Sequence, residues 1–289
     1  MSQSPTSPQG NSQLEIDLST AHSQHQSPLF YKIPAEIRNE ILRLALVAYD
    51  DPEKLYARET YWTRPGFKGQ KKIDMQLLRV CKRIYEETKV VPLSELEVCF
   101  YFGDRDRRPP ELHHMNLSGA PKYVQAFTPT QWSQITSIRF IAQMYMLEER
   151  TLCSNIFTAR SQLKPSTVTI TLRYTDWWWW EDNAHLSTKR FVDMNSLRWP
   201  DSVKTVIMEM ETIEVKRKEL DEVIKTVCEN PDTWLWRRKD GTELRVVQGQ
   251  VGEWTWQGPT TFGGKRTFKH HGTGDSMGYL VKVLTWKAV

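Results

Sequence analysis

The sequence predicts an α+β chain, with α/β as the neighbouring class. A small helical module is expected near the N-terminus, followed by a larger strand-rich domain. Three observations carry this. Apolar residues repeat at helical spacing from Pro34 to Ala48, and again from Met75 to Val91. Beyond residue 120, runs rich in β-branched residues recur with polar approaches between them.

Residues 1–27 are rich in Ser, Gln, Pro and Thr and hold few large apolar groups, so they are expected to be disordered. The first helix follows. Pro34 suits a first helical turn, where its missing N–H is not needed, and Glu36 complements the positive end of the helix dipole. Ile37, Ile41, Leu44 and Ala48 then recur at spacings of four, three and four, drawing one apolar stripe. Leu29, Phe30 and Ile33 are expected to fold back on that stripe as a staple.

Residues 50–73 are polar and broken by Pro52, Pro65, Gly66 and Gly69, and read as a long connection. In the second helix Leu77, Cys81, Ile84, Tyr85 and Thr88 share a face, and Pro92 is the stop signal. "LEVCFYF" (96–102) then reads as a short buried strand, and "GDRDRRPPE" as a turn.

"LFYKIPAEIRNEIL", followed by "LLRVCKRIYEE" and the aromatic "CFYF", resembles the F-box-like segment that opens many uncharacterised fungal proteins. Those read Leu-Pro-x-Glu-Ile-Arg-Asn-x-Ile, then a Leu-Leu-x-x-Cys-Arg-Gln-Ile-Tyr-x-Glu helix, then a short aromatic strand. Pro34, Glu36, Ile37, Arg38, Asn39 and Ile41 carry the first part of the match, and Cys81, Ile84, Tyr85 and Glu86 the second. Ile33 stands in place of the usual leucine, a volume-conserving change, and the loop between the helices is longer than in a compact F-box.

The resemblance implies a module that docks on the Skp-family adaptor of a cullin-type ubiquitin ligase, through Ile33, Pro34, Ile37 and Ile41. It also implies a following domain that recruits a protein substrate. The alternative is a non-ligase binding or scaffold protein in which the same helices are part of its own core. The expected organisation is a tail at 1–27, an F-box-like module at 28–102 and an α/β sheet domain at 103–289.

In that larger domain "ITSIRFIA", "VTITLRY" and "VKTVIMEM" start at 135, 168 and 203, thus 33 and 35 residues apart. The spacing is compatible with strand–helix units in a parallel sheet, or with an irregular leucine-rich-like solenoid. "VKRKELDEVIKTVCEN" is an amphipathic helix with Leu220, Val223, Ile224 and Val227 on one side. Asp240-Gly241 marks a tight hairpin, and "EWTWQG" and "MGYLVKVLTWK" complete a strand-rich end.

The formal charge of +4 comes from 39 basic and 35 acidic residues that are scattered rather than gathered, so no nucleic-acid partner is expected. Cys81, Cys99, Cys153 and Cys228 form no CxxC pair and read as reduced thiols. No apolar run approaches the ~20 residues that span a bilayer, and the polar start is no secretory signal. A cytoplasmic or nuclear protein is expected, without membrane partner.

Enzyme motifs fail on context. "GDSMG" (274–278) fits Gly-x-Ser-x-Gly, yet a strand follows it and no His, Asp or Glu lies downstream. Asp104 and Asp106 are flanked by Arg105, Arg107 and Arg108, which oppose a cation. His113-His114 and His270-His271 lack zinc-ligand spacing and read as surface histidines. No enzyme, metal or cofactor is therefore expected.

"TDWWWWED" (175–182) is the remaining oddity. It is expected at a strand end or in the loop beyond, with Trp177 and Trp179 on one side and Trp178 and Trp180 on the other. All four are candidate substrate contacts, because Trp is enriched among binding hot spots.

Overall fold

The computed structural model of the protein describes residues 19, 21–112, 118–119, 124, 126–148, 154–188, 197–263 and 266–288. Most of the expected disordered tail, the His113-His114 pair and Cys153 lie outside the described residues. The chain divides into two compact units. One holds the residues up to Leu46 together with Asp74–Lys89, and the other holds Val47–Ile73 and Val90–Val289. The expected boundary at residue 102 is thus displaced, because the aromatic strand 97–102 and the 50–73 connection both belong to the larger unit.

In the smaller unit a short helix, Pro28–Tyr31, precedes the helix Ala35–Leu46, where the Pro34 carbonyl accepts from the Arg38 N–H at 2.9 Å. The second expected helix is divided. Gln76–Arg79 is a 3-10 turn, Cys81 is extended, and a helix runs only over Lys82–Thr88. Cys81 Sγ accepts from the Ile84 N–H at 3.5 Å, so the cysteine caps the helix instead of lying within it.

The larger unit opens with a hairpin of β1 (Tyr49–Leu55) and β2 (Gly69–Lys72), antiparallel with Tyr49 opposite Lys72. The structure thus pairs two strands where the polar, Pro- and Gly-broken sequence predicts a connection. Pro52 and a register shift disguise the hairpin, and both are tolerated in a two-stranded ribbon. Gly69 is required there, since a Cβ would lie 2.9 Å from the Lys54 carbonyl oxygen.

The strands that follow are β3 (Glu97–Phe102), β4 (Ser118–Gly119), β5 (Ser137–Ala142), β6 (Thr167–Leu172), β7 (Arg198–Trp199) and β8 (Thr205–Ile213). They continue with β9 (Trp236–Arg238), β10 (Glu243–Val246), β11 (Gly252–Pro259) and β12 (Ser276–Ala288). Among the described residues these form one ten-stranded sheet, ordered β4-β3-β5-β6-β8-β12-β10-β9-β7, with β11 also on β12. β3, β5, β6 and β8 are parallel and in register, as one reading of the 33- and 35-residue spacing required. From β8 through β12 and β10 to β9 the neighbours are antiparallel, and only the short edge strand β7 returns parallel to β9, so the sheet does not continue as a leucine-rich-like solenoid. The fold is α+β.

Alternation divides the sheet into two unlike faces. Phe100, Phe140, Ile170 and Met208 sit at one register level and point into the main core, which the helix Arg217–Glu229 covers with Leu220, Val223, Ile224 and Val227. Trp199, Trp236 and Trp286 are fully buried in that core, with ring centroids 5.5 and 6.2 Å apart in succession. The opposite face presents Glu97, Cys99 and Tyr101 on β3, Arg139 on β5, Thr171 on β6, and Glu209 and Glu211 on β8. Gly241, at φ +89°, makes the expected turn between β9 and β10.

Candidate functional site

The Ala35–Leu46 helix turns a different side inward from the one its apolar stripe suggests. Arg38, Leu42 and Leu46 are buried, whereas Ile37, Ile41 and Leu44 are 56%, 44% and 61% exposed. A shift of one position rotates a helix by about 100°, so these are two separate stripes. Arg38 is held inside by its Nε, 3.2 Å from Glu87 Oε2, and by the Phe30 ring, whose centroid is 5.0 Å from the guanidinium. Arg83 stacks on the same ring at 4.1 Å. Phe30 therefore packs under two arginines and not, as expected, as a staple on the isoleucine stripe. Pro34 is exposed and Ile33 half-buried. Tyr31, Met75 and Val80 of the same unit are exposed as well.

The tryptophan run lies just beyond β6, between the 3-10 turns Tyr174–Asp176 and Trp180–Asp182. The alternation expected of a strand is absent, because only Trp177 is extended and the chain turns at Trp179 into the second 3-10 turn. Trp177 and Trp180, three apart, are each 3% exposed; Trp178 is half-buried and Trp179 is 65% exposed. Trp179 takes a left-handed backbone, φ +55°, which reverses the chain and turns its ring outward. Trp177 donates its Nε1–H to the Glu211 carbonyl at 2.8 Å. Trp180 packs edge-on or tilted against Tyr174, Phe262 and Phe268 at centroid distances of 5.4, 5.5 and 4.7 Å. A buried bidentate pair fixes the preceding turn, with Arg173 Nε and Nη2 at 2.6 and 2.9 Å from the two Asp176 oxygens. Of the four candidate contacts, Trp179 and part of Trp178 reach solvent.

Sequence reasoning missed a third feature, a row of charges across the second face of the sheet. Arg139 reaches Glu97 Oε2 through Nε at 2.7 Å, and Glu209 Oε2 and Thr171 Oγ1 through Nη1 at 2.7 and 2.6 Å. Arg64, from the loop between β1 and β2, places Nη2 3.3 Å from Glu209 Oε2 and 3.5 Å from Glu211 Oε2. Trp256 Nε1–H and the Tyr174 N–H also donate to Glu211, at 3.2 and 3.3 Å. Burial works to raise the Glu209 carboxyl, but Arg139 and Arg64 outweigh it and hold the group below its ordinary value. At Glu211 burial prevails over Arg64 and the carboxyl stands above its ordinary value.

No family model, curated protein or solved structure matches the chain.

The rejected motifs can be placed. Ser276 of "GDSMG" opens β12 and bonds the Arg58 guanidinium at 2.7 Å and the Gly258 carbonyl at 3.2 Å, in a strand and not a strand-to-helix elbow. His271 is buried, contrary to the surface expectation. Its Nδ1 lies 2.6 Å from the Thr260 carbonyl and its Nε2 2.9 Å from the Tyr174 hydroxyl, so Nδ1 carries the proton and Nε2 accepts. Among the described residues no group of three or more His, Cys, Asp or Glu could hold a metal ion, and no helix is long and apolar enough to cross a membrane.

The charge row had a sequence signal. In "TVIMEMETI" glutamates alternate with methionines, and in "SIRFIA" an arginine sits between apolar residues, which is the pattern of a sheet with one polar face. Arg64 had no such signal, because it arrives from a loop.

Proposed function

We propose that the chain is an F-box-like, substrate-recruiting subunit of a cullin-type ubiquitin ligase, acting by protein–protein binding and not by catalysis. Its helical unit docks on a Skp-family adaptor through Ile33, Pro34, Ile37 and Ile41. The observation that carries this reading is the exposure of Ile37, Ile41 and Leu44 along one helix face, beside an exposed Pro34. Residues spaced by three and four lie one above the other, so the three form a continuous apolar strip. Single exposed apolar residues need no explanation, but a contiguous strip marks an interaction surface. The scaffold alternative needs these side chains packed within the chain's own core, and exposure speaks against it. The larger unit then presents the substrate-recruiting surface, with Trp179 and the adjoining edge of Trp178 as its contacts from the tryptophan run.

A pull-down with recombinant Skp-family adaptor, comparing wild type with Pro34→Ala plus Ile37→Asp, tests the reading. Both positions are exposed, so the variant should keep its melting temperature and lose the adaptor. Equal recovery of adaptor by a folded variant, or no recovery by either protein, would overturn it.

A further inference from the structure

The outermost strands of the large sheet, β4 and β7, are two residues long each, and short edges of this kind keep a sheet from adding further strands. β11 is different. It runs for eight residues, pairs with β12 along one side, and among the described residues pairs with no strand along the other. Backbone groups alternate in direction along a strand, so the bonds of β12 fix which way each β11 residue points. The Ala288 N–H donates to the Lys204 carbonyl on the β8 side, and the Thr285 carbonyl accepts from the Val247 N–H on the opposite side. The register with β8 is unbroken from Tyr279 to Lys287, so Tyr279, Val281 and Val283 also face away from β8. Their partners Trp256, Trp254 and Gly252 are therefore bonded to β12, and Glu253, Thr255 and Gln257 turn their N–H and C=O outward. All three are exposed.

Long open edges in natural sheets are guarded by a charge, a bulge or a proline. β11 has little of this. Its register with β12 holds no bulge, and Pro259 stands only at its last position. Glu253 is its one charged side chain and is already engaged, with Oε1 accepting from Arg217 at 2.5 Å and Oε2 3.0 Å from Lys282 Nζ. Side chains alternate as well, so Trp254 and Trp256 share a face. Both are half-buried: Trp254 lies 5.5 Å from the Arg64 guanidinium, and Trp256 stacks on Tyr279 at 4.5 Å. An incoming strand would meet three outward backbone residues with two part-exposed indoles between them.

We propose that β11 pairs antiparallel with β11 of a second copy of this chain, about a two-fold axis at Thr255. In this register the strand is complementary to itself. Thr255 faces Thr255 of the copy and Glu253 faces Gln257, so all three outward residues pair with one another, each pair exchanging two backbone hydrogen bonds, and no like charges meet. Trp254 falls opposite Trp256 at the non-hydrogen-bonded positions, where facing Cα atoms come within about 4.5 Å, and each indole gains an aromatic neighbour. Other registers are poorer. An axis at Glu253 sets two glutamates opposite each other, and an axis at Gln257 brings Pro259, which has no N–H, opposite Thr255. The pairing uses the larger unit alone and does not rest on the adaptor reading.

Sedimentation velocity of the full chain, from micromolar to near-millimolar concentration, tests this. The protein should pass with concentration from a monomer of 33.9 kDa to a species of twice that mass. Thr255→Pro removes an outward N–H and no bond to β12, so it should fold and weaken the dimer about tenfold or more. Gln257 tests the register, because it is exposed and faces Glu253 of the copy. Gln257→Glu should weaken the dimer severalfold and Gln257→Lys should strengthen it, with both differences shrinking in high salt. Should Thr255→Pro fail to fold by circular dichroism, the two Gln257 variants decide. A monomer at every concentration, which leaves the edge to water or to a strand of another protein, would overturn the proposal. So would a dimer that a folded Thr255→Pro leaves unchanged, or equal dimer fractions in the two Gln257 variants.

Discussion

Replacing Trp180 and Trp179 separately by alanine should give two very different proteins. A tryptophan carries up to about 250 Å² of surface, worth about 6 kcal/mol at ~25 cal/mol per Å² if fully buried. Trp180 is 3% exposed and surrounded by Tyr174, Phe262 and Phe268, so its removal leaves a cavity with rigid aromatic walls. Trp→Ala at such a site costs about 3–5 kcal/mol. For a folding unit of roughly two hundred residues each kcal/mol lowers the melting temperature by about 2–4 °C, so Trp180→Ala should melt some ~6–20 °C early. Trp179 is 65% exposed, and its loss should change stability by under about 1 kcal/mol, a shift of a few °C at most. Thermal unfolding followed by near-ultraviolet circular dichroism reads both. Comparable shifts from the two variants, or a loss under about 3 °C for Trp180→Ala, would refute the placement of these rings. If Trp179 is a substrate contact, its alanine variant should also lose partner recovery while melting normally.

Two further outcomes follow from the polar face of the sheet. Burial raises the Glu211 carboxyl, so its contribution to stability is complete below its unfolded pKa of ~4.3 and is lost as pH rises through the folded value. Glu211→Gln imitates the protonated form at every pH, so its melting temperature relative to wild type should climb as pH rises above the unfolded value of ~4.3; a flat difference would contradict the assignment. At Cys99, burial pushes the thiol up to about 12, which leaves roughly one thiolate in ten thousand at pH 8. Iodoacetamide labelling followed by mass spectrometry should therefore find Cys99 modified far more slowly than the part-exposed Cys81, and equal rates would contradict the buried setting.

How much of this was legible in the chain depends on the kind of signal. The parallel strands were readable because β-branched residues and spacing agree, and the helix 217–229 because its apolar positions define a single face. The helix Ala35–Leu46 was readable as a helix, but not its inward side. Ile37–Ile41 and Leu42–Leu46 offer two apolar stripes, and a buried Arg38, neutralised by Glu87 and stacked on Phe30, is a tertiary fact. Four adjacent tryptophans suggest alternation only if the backbone is extended. Here the left-handed Trp179 and the buried Arg173–Asp176 pair impose a turn instead, and spacing by three replaces spacing by two. The β1–β2 hairpin hid behind Pro52 and a register shift, and with it Arg64, the residue that joins the charge row from a loop.

Hydrogen–deuterium exchange on the full chain, with and without a recombinant Skp-family adaptor, bears most directly on the docking surface. If the exposed strip of Ile37, Ile41 and Leu44 is the docking face, adaptor should slow exchange in peptides covering residues 33–46 and leave β12 unchanged. The reading is contradicted if a saturating adaptor leaves those peptides unprotected, or protects only segments of the larger unit.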